Sequence, residues 1–416
     1  MTEALLIMCV MYAILIAASI IFRNNVKIVM LFSVVSAAVG LLIAGFPLDT
    51  RILEGMSGYL DAIFYALTGA ALFAVLNGNG TLVWIFGRIA AIKNGAAKAL
   101  LLTLFIALPG MVSGMATVSM LTAGSVAGAY LMKNGMDKKK VTAYVATASI
   151  AGMLLPPYSL IPMIFLGNAF AGLSLPLLAL GTPVFLAVAF AFMKPIAAVK
   201  APAQTAEGKA ICVVPLLAAL ILYLGYDFGK AFLPFLGLPL IATIACVLAI
   251  LLPAGKRGNP VNQIGDLFVK IAPYVAAVVL LGMVRATASR CGVFGALTAV
   301  AYDANKTLTG ILSFVAMAAV GVFAGWYPFL ALSPIAFIFS GSSLGIQLAY
   351  TALMALVMLF SLKNNFSDQT LAALSPEDEA PKGAASFKAA LVPALFLAAM
   401  FFLCYYAAPL FAGLRM

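Results

Sequence analysis

Residues 98–170 constrain this chain most, and within them the run Ser149–Gly167, SIAGMLLPPYSLIPMIFLG. The run is apolar enough for a bilayer interior, yet Pro156-Pro157 interrupts it midway. Proline removes a backbone donor and clashes with the preceding turn, so a helix ends or kinks here. Backbone groups freed at membrane depth need protein or a water-filled cavity to receive them. Just upstream, residues 98–133 place two apolar arms around Pro109–Ser119, PGMVSGMATVS. Read as about a dozen residues each, the arms are too short for a hydrocarbon core that takes about 20 to cross. One long spanning helix with interior glycines is the plainer reading. A re-entrant hairpin whose tip faces a broken helix is preferred, because two such interruptions in succession mark transporter sites.

Composition sets the class. Of the 416 residues, 65% are hydrophobic and 9% charged, with mean hydropathy +1.14. Soluble domains carry about 25% charged residues, so a polytopic membrane protein is predicted. Cys9, Cys212, Cys246, Cys291 and Cys404 fall in or beside apolar stretches without paired spacing. They read as small hydrophobes, not a disulfide framework or a metal site. The chain has no histidine, which excludes acid–base chemistry and haem or zinc ligation through that residue. The first 22 residues begin MTE and lack a basic n-region and an A-x-A site, so they read as a retained span.

Taken in order, spanning segments fall at about 4–22, 28–46, 58–77 and 174–193, with the hairpin 98–133 and a broken helix 141–170 between the last two. The polar stretch 194–209 reads as a connector. Spans at 210–226, 233–253 and 269–286 follow, then a hairpin at 308–345. A segment at 346–374 is interrupted by Ser361–Asp368, SLKNNFSD, and a last span covers 389–411. The same order occurs twice, in 1–193 and in 210–416. Leu108–Gly114 and Val320–Trp326 are weakly alike at the two tips. The predicted fold is therefore an all-α polytopic membrane protein of two repeats. With the N-terminus outside, 17 Lys and Arg fall on the cytoplasmic side and 6 on the other, with Lys363 in the second break. This asymmetry accounts for the net charge of +11 without nucleic acid. It also gives the repeats inverted topology, the first hairpin entering from the cytoplasm and the second from outside.

The first tip offers Ser113, Gly114, Thr117 and Ser119, and the first break Pro156, Pro157, Tyr158 and Ser159. Small residues let backbone approach a ligand, and hydroxyls with freed carbonyls are hard oxygen ligands suited to Na⁺. Half-helix N-termini direct partial positive charge at an anion. Packing between helices is the ordinary role of such Ser and Thr. The second break carries Lys363, Asn364, Asn365, Ser367 and Asp368. Charges between apolar stretches are expensive unless paired or lining a cavity, so Lys363 is a candidate anion contact. Asn364 and Asn365 would supply amide ligands, Asn365 for Na⁺ also. Alternatively 346–362 is a complete span and this loop is cytoplasmic. The second tip offers Gly325, Trp326, Tyr327, Ser333 and Pro334, with Trp326 and Tyr327 readable equally as interface anchors.

The stretch Asn77–Gly167 resembles the large membrane subunit of TRAP transporters, within the wider ion transporter superfamily. The similar parts are Asn77–Ala90, Val112–Ser119, the turn Gly135-Met136-Asp137, and Ala146–Ser159, ATASIAGMLLPPYS. The second half is similar mainly in layout and in Ser333–Phe337, SPIAF. Two positions depart from the family pattern. KNNFSD stands where a T-P-P break is usual, and Gly114-Met115-Ala116 where the tip usually reads G-S-S. The resemblance implies an elevator-type, Na⁺-coupled importer of an organic anion such as a C4-dicarboxylate or acidic sugar, in an inner membrane. A small membrane subunit, a periplasmic binding protein and a homo-oligomer are its implied partners. Rival classes are a cation/proton antiporter or other carrier acting without a binding protein, a channel, and an intramembrane enzyme. Only Asp61 and Asp368 are carboxylates near membrane segments, and no Ser/Lys dyad or acidic pair converges. An enzyme is not expected, nor any cofactor beyond the coupling ion.

Overall fold

The computed structural model describes residues 1–22, 25–48, 55–155, 174–199, 210–228, 237–252, 258–303, 306–340, 344–360, 387–407 and 409. These residues form helices and short connections, with no strand among them. The first half runs α1 (Thr2–Ile21), α2 (Val26–Ile43), α3 (Leu60–Gly78) and α4 (Thr81–Ala90). The hairpin follows as α5 (Gly95–Ser113), α6 (Ala116–Ser119), a π-helical turn (Met120–Gly124) and α7 (Ser125–Lys133). Then come α8 (Lys138–Leu154), α9 (Ser174–Ala191) and α10 (Met193–Ala197). The second half has a 3-10 turn (Ala210–Val213), then α11 (Val214–Phe228), α12 (Leu238–Leu251), α13 (Pro260–Arg290) and α14 (Val293–Asp303). It closes with α15 (Lys306–Ala324), α16 (Trp326–Ser340), α17 (Leu344–Phe360) and α18 (Phe387–Tyr406).

Local chemistry explains the starts and stops. Asn25, Asn94 and Asn259 precede α2, α5 and α13, and each side-chain oxygen accepts from a first-turn N–H at 3.0–3.2 Å. Glycines with positive φ make the sharp corners, at Gly80 (83°) and Gly114 (68°) in the first half and Gly292 (72°) and Gly325 (94°) in the second. A side chain there would strain the backbone.

Three expectations change. The hairpin arms are longer than a dozen residues, since α5 and α15 each have 19. Pro109 lies inside α5 instead of ending it, and the Ser113 hydroxyl donates to its carbonyl at 2.6 Å. The span expected at 269–286 is a 31-residue helix, and among the described residues it is one of three single helices long and apolar enough to cross a membrane, with α1 and α5. The short helices α4 and α14 are additional elements. The first is bent 72° from α3 at Asn79-Gly80.

The tip register also shifts by one residue. Aligned on their positive-φ glycines, the tips read Gly110-Met-Val-Ser-Gly114 and Gly321-Val-Phe-Ala-Gly325. The likeness is a glycine pair four residues apart, which the pairing of Leu108–Gly114 with Val320–Trp326 misses.

Helix directions follow from contacts. The Ser36 hydroxyl on α2 donates to the Met11 carbonyl at the middle of α1, and Met11 also packs on Gly40. At one end of α3, Tyr59 stacks on Gly282 and accepts from Arg285 of α13 at 3.2 Å. At the other end, Gly78 packs on Gln263 of the same helix. Thus α3 and α13 are antiparallel. The last spans α9 and α18 pack on each other and on α8 and α17.

The closest approach of two backbones at a described glycine is Gly152 of α8 against Ala107 of α5, where any Cβ would overlap the Ala107 carbonyl oxygen. Gly152→Val should therefore destabilise by at least about 1–3 kcal/mol, the cost of overpacking. Gly265→Ala, with nothing within 4 Å of the new methyl, should gain up to about 1 kcal/mol of helix propensity. Thermal unfolding of the detergent-purified protein measures both.

Candidate functional site

The first tip is buried inside the protein. Gly114 and Ala116 are both buried, and the Ser113 backbone rests midway along α3. A Cβ on Gly69 there would lie 2.7 Å from the Ser113 Cα and the Val112 carbonyl oxygen. On the opposite side Gly110 faces α8, where its Cβ would sit 3.3 Å from the Ser149 carbonyl oxygen and the Met153 nitrogen. Only small residues allow a bent backbone to lie this close to two helices.

Two of the four expected tip groups brace the turn. The Ser113 hydroxyl donates to Pro109 and accepts from the Met115 N–H at 3.3 Å. The Ser119 hydroxyl accepts from the Gly110 N–H at 2.6 Å, tying one arm to the other. Gly114 supplies the corner. Thr117 sits in the first turn after it, 9% exposed.

Beyond Ser119 the second arm widens into the π-helical turn, a feature frequent at functional sites. Most buried hydroxyls here are satisfied locally. Thr122 donates to the Val118 carbonyl, Thr147 to the Ala143 carbonyl, and Thr103 pairs with the Tyr144 hydroxyl at 3.0 Å. Ser149 differs, since its hydroxyl is fully buried and makes no hydrogen bond. It lies in the turn of α8 that packs on Gly110. Sequence reading marked it only as the start of the broken segment. Its missing partner is a tertiary fact that no motif signals.

The break itself begins where the prolines require. Helix α8 stops at Leu154, and Leu155 is extended at φ −85°, ψ 140°. This is the conformation a following proline favours. Pro156, Pro157, Tyr158 and Ser159 lie outside the described residues.

In the second half α17 is described over Leu344–Phe360. Lys363, Asn364, Asn365, Ser367 and Asp368 all lie outside the described residues. At the second tip Gly325 makes the turn, and a Cβ on Gly321 would lie 2.5 Å from a Val357 methyl of α17. Each tip therefore rests on the helix that follows its hairpin, and α8 and α17 also touch each other. Tyr327 is fully buried in the protein, which removes it as an interface anchor. Ser333 and Pro334 belong to the interior of α16, where Ser333 donates to the Leu330 carbonyl at 2.7 Å. They do not form the tip.

The described donor set is hydroxyl and carbonyl oxygen, chemistry that fits a hard monovalent cation at an unwound helix. Among the described residues no three His, Cys, Asp or Glu gather, and Lys98 is the single buried charged side chain. Its ammonium donates to the Val199 carbonyl at 3.0 Å and anchors the open end of the hairpin to the segment after α10.

No family model matches the sequence, and no curated protein does. The fold is similar to the crystal structure of the YdaH transporter from Alcanivorax borkumensis, reported to have an unusual topology. The TM-score is 0.59 over 88% of this chain and 89% of that one, at 14% identity. This chain is a multi-pass membrane protein with a transporter-like fold.

Ser119→Ala would leave the buried Gly110 N–H without its acceptor and should cost about 1–3 kcal/mol. Ser149→Ala removes a hydroxyl that bonds nothing and should leave the unfolding temperature unchanged. Thermal unfolding of the two variants side by side tests this division between brace and ligand.

Proposed function

We propose that the protein is a secondary active transporter that takes up a small organic anion with Na⁺ by an elevator mechanism. The observation that carries this reading is the matched pair of glycine-cornered hairpins, each resting on the helix that follows it. We take residues 1–193 and 210–416 as inverted repeats joined by the connector 194–209. The antiparallel α3 and α13 support this, because each hairpin opens at the end where its preceding span finishes. Alternating access then needs only that the hairpins and broken helices move against the remaining spans. The likeness of Asn77–Gly167 to TRAP large subunits directs the substrate class toward C4-dicarboxylates or acidic sugars. A bacterial-type inner membrane with the N-terminus outside, a small membrane subunit, a periplasmic binding protein and self-association belong to the same proposal. Asp61 and Asp368 are the only carboxylates the sequence places near membrane segments, which weighs against a cation/proton antiporter.

In this reading Na⁺ is held between the first tip and break by Thr117, Ser149 and nearby carbonyls, with the tip braced by Ser113 and Ser119. The anion is met by residues after α8 and α17, Lys363 first among them. An unpaired ammonium at a helix centre in the bilayer costs about 2.5–3.5 kcal/mol, so an anionic partner there is strongly favoured.

Two experiments test the proposal. Purified protein in liposomes should accumulate labelled dicarboxylates or acidic sugars when Na⁺ is high outside. Thr117→Ala and Ser149→Ala should weaken the Na⁺ dependence about tenfold, the loss of roughly 1.4 kcal/mol, while Lys363→Ala raises the substrate KM. Uptake driven equally well by a proton gradient without Na⁺ would refute the coupling, and unchanged kinetics in Lys363→Ala would remove that residue from the site. Second, in a Cys9→Ser background, cysteine at Lys306 should react with an impermeant thiol reagent added outside cells, and cysteine at Lys138 should not. Equal labelling of both would end the inverted-repeat reading.

A further inference from the structure

The two hairpins differ in what lies between their arms. In the first, Phe86 of α4 is wedged across the pair, its ring 6.1 Å from Phe105 of α5 and 4.9 Å from Tyr130 of α7. In the second, a groove of about 320 Å³ runs between α15 and α16. Leu312, Ala316 and Met317 line one side and Leu332, Ile335 and Phe339 the other. Counting from the corner glycines Gly80 and Gly292, the position of Phe86 is taken in α14 by Thr298. Its hydroxyl donates to the Phe294 carbonyl of its own helix at 2.7 Å, and its side chain is exposed. By this count a short polar side chain stands where the first hairpin has its ring, and the residues that line the groove all come from α15 and α16.

We infer that the acyl chain of a bilayer phospholipid fills the groove between α15 and α16, in the place that Phe86 takes in the first hairpin. The rim is apolar and open, with Leu308, Leu312 and Val315 exposed at 56%, 56% and 60%. In a multi-pass membrane protein such a rim meets hydrocarbon. The groove offers a polar ligand little, since its walls are almost wholly apolar, Thr309 and Ser313 carry its hydroxyls, and that of Ser313 is spent on the Gly310 carbonyl at 2.7 Å. An apolar void excludes water and takes up an apolar guest. The guest would also touch the transport machinery. Met317 on the groove wall receives the Tyr350 hydroxyl of α17, so the groove borders the helix on which the second tip rests.

The test uses the full chain in phosphatidylcholine vesicles containing a trace of phosphatidylcholine with a diazirine on one acyl chain. After photolysis, peptides covering 306–340 should carry several-fold more label than α11, whose Leu217 and Ile221 are similarly exposed at 51% and 68%. Thr298→Phe and Ala316→Phe should each lower the label on 306–340 to the α11 level without lowering the unfolding temperature. Labelling of wild-type 306–340 no greater than α11 would overturn the inference, and so would excess labelling that both variants retain. A cysteine at Leu312 that cross-links efficiently between two copies would also overturn it, by making the occupant a second protomer. The wild-type comparison decides the matter even where a variant fails to fold. None of these readouts depends on the transported solute.

Discussion

A backbone that turns inside a membrane protein must find partners for the N–H and carbonyl groups that a continuous helix would have satisfied. The hydrocarbon supplies none. Around the first tip the protein answers with close packing and two hydroxyls. Gly69, Gly110 and Gly152 let α3 and α8 come within backbone contact of the first arm and its turn, and Ser113 and Ser119 absorb the groups the turn frees. The corner at Gly114 needs a positive φ, and the close approach of α3 and α8 needs glycine at 69 and 110. Much else in the first half follows from holding this turn in place.

The second half repeats the device with different materials. The first glycine of its tip packs on Val357, where the first tip meets backbone, and no serine ties its arms as Ser119 does. Aromatic residues take over. Tyr327 and Phe329 are buried beside the tip, and Phe314 packs on Tyr350, Phe401 and Tyr405. One hairpin is closed by hydrogen bonds and an inserted Phe86. The other is held by rings on one face and left grooved on another. If the two are gates of one transport cycle, their different construction gives them different stiffness.

The sequence by itself determined the class and much of the layout. Hydropathy and the scarcity of charge required a membrane protein, since so apolar a chain cannot be dissolved by its surface. Most helix positions, the turn at Gly114 and the end of α8 before Pro156 were legible because proline and glycine act through their own covalent geometry. The arm lengths were not. A proline inside a helix is tolerated when its neighbourhood compensates, and at Pro109 that neighbourhood includes the Ser113 hydroxyl one turn later. Local sequence proposes a break there, and packing declines it.

Tertiary structure alone decided which hydroxyls are braces and which is left over. Ser113, Ser119 and Ser149 are equivalent as residue types, and their roles differ only through what lies beside them. It also decided the register of the two tips, because weak likeness between Gly-rich segments cannot fix a single-residue offset while a positive φ can. The same holds for Phe86 and Thr298. Nothing in either short segment marks one as a plug and the other as a gap. That distinction exists only once two arms stand on either side of it, because a cavity is a property of the space between chain segments and not of any one of them.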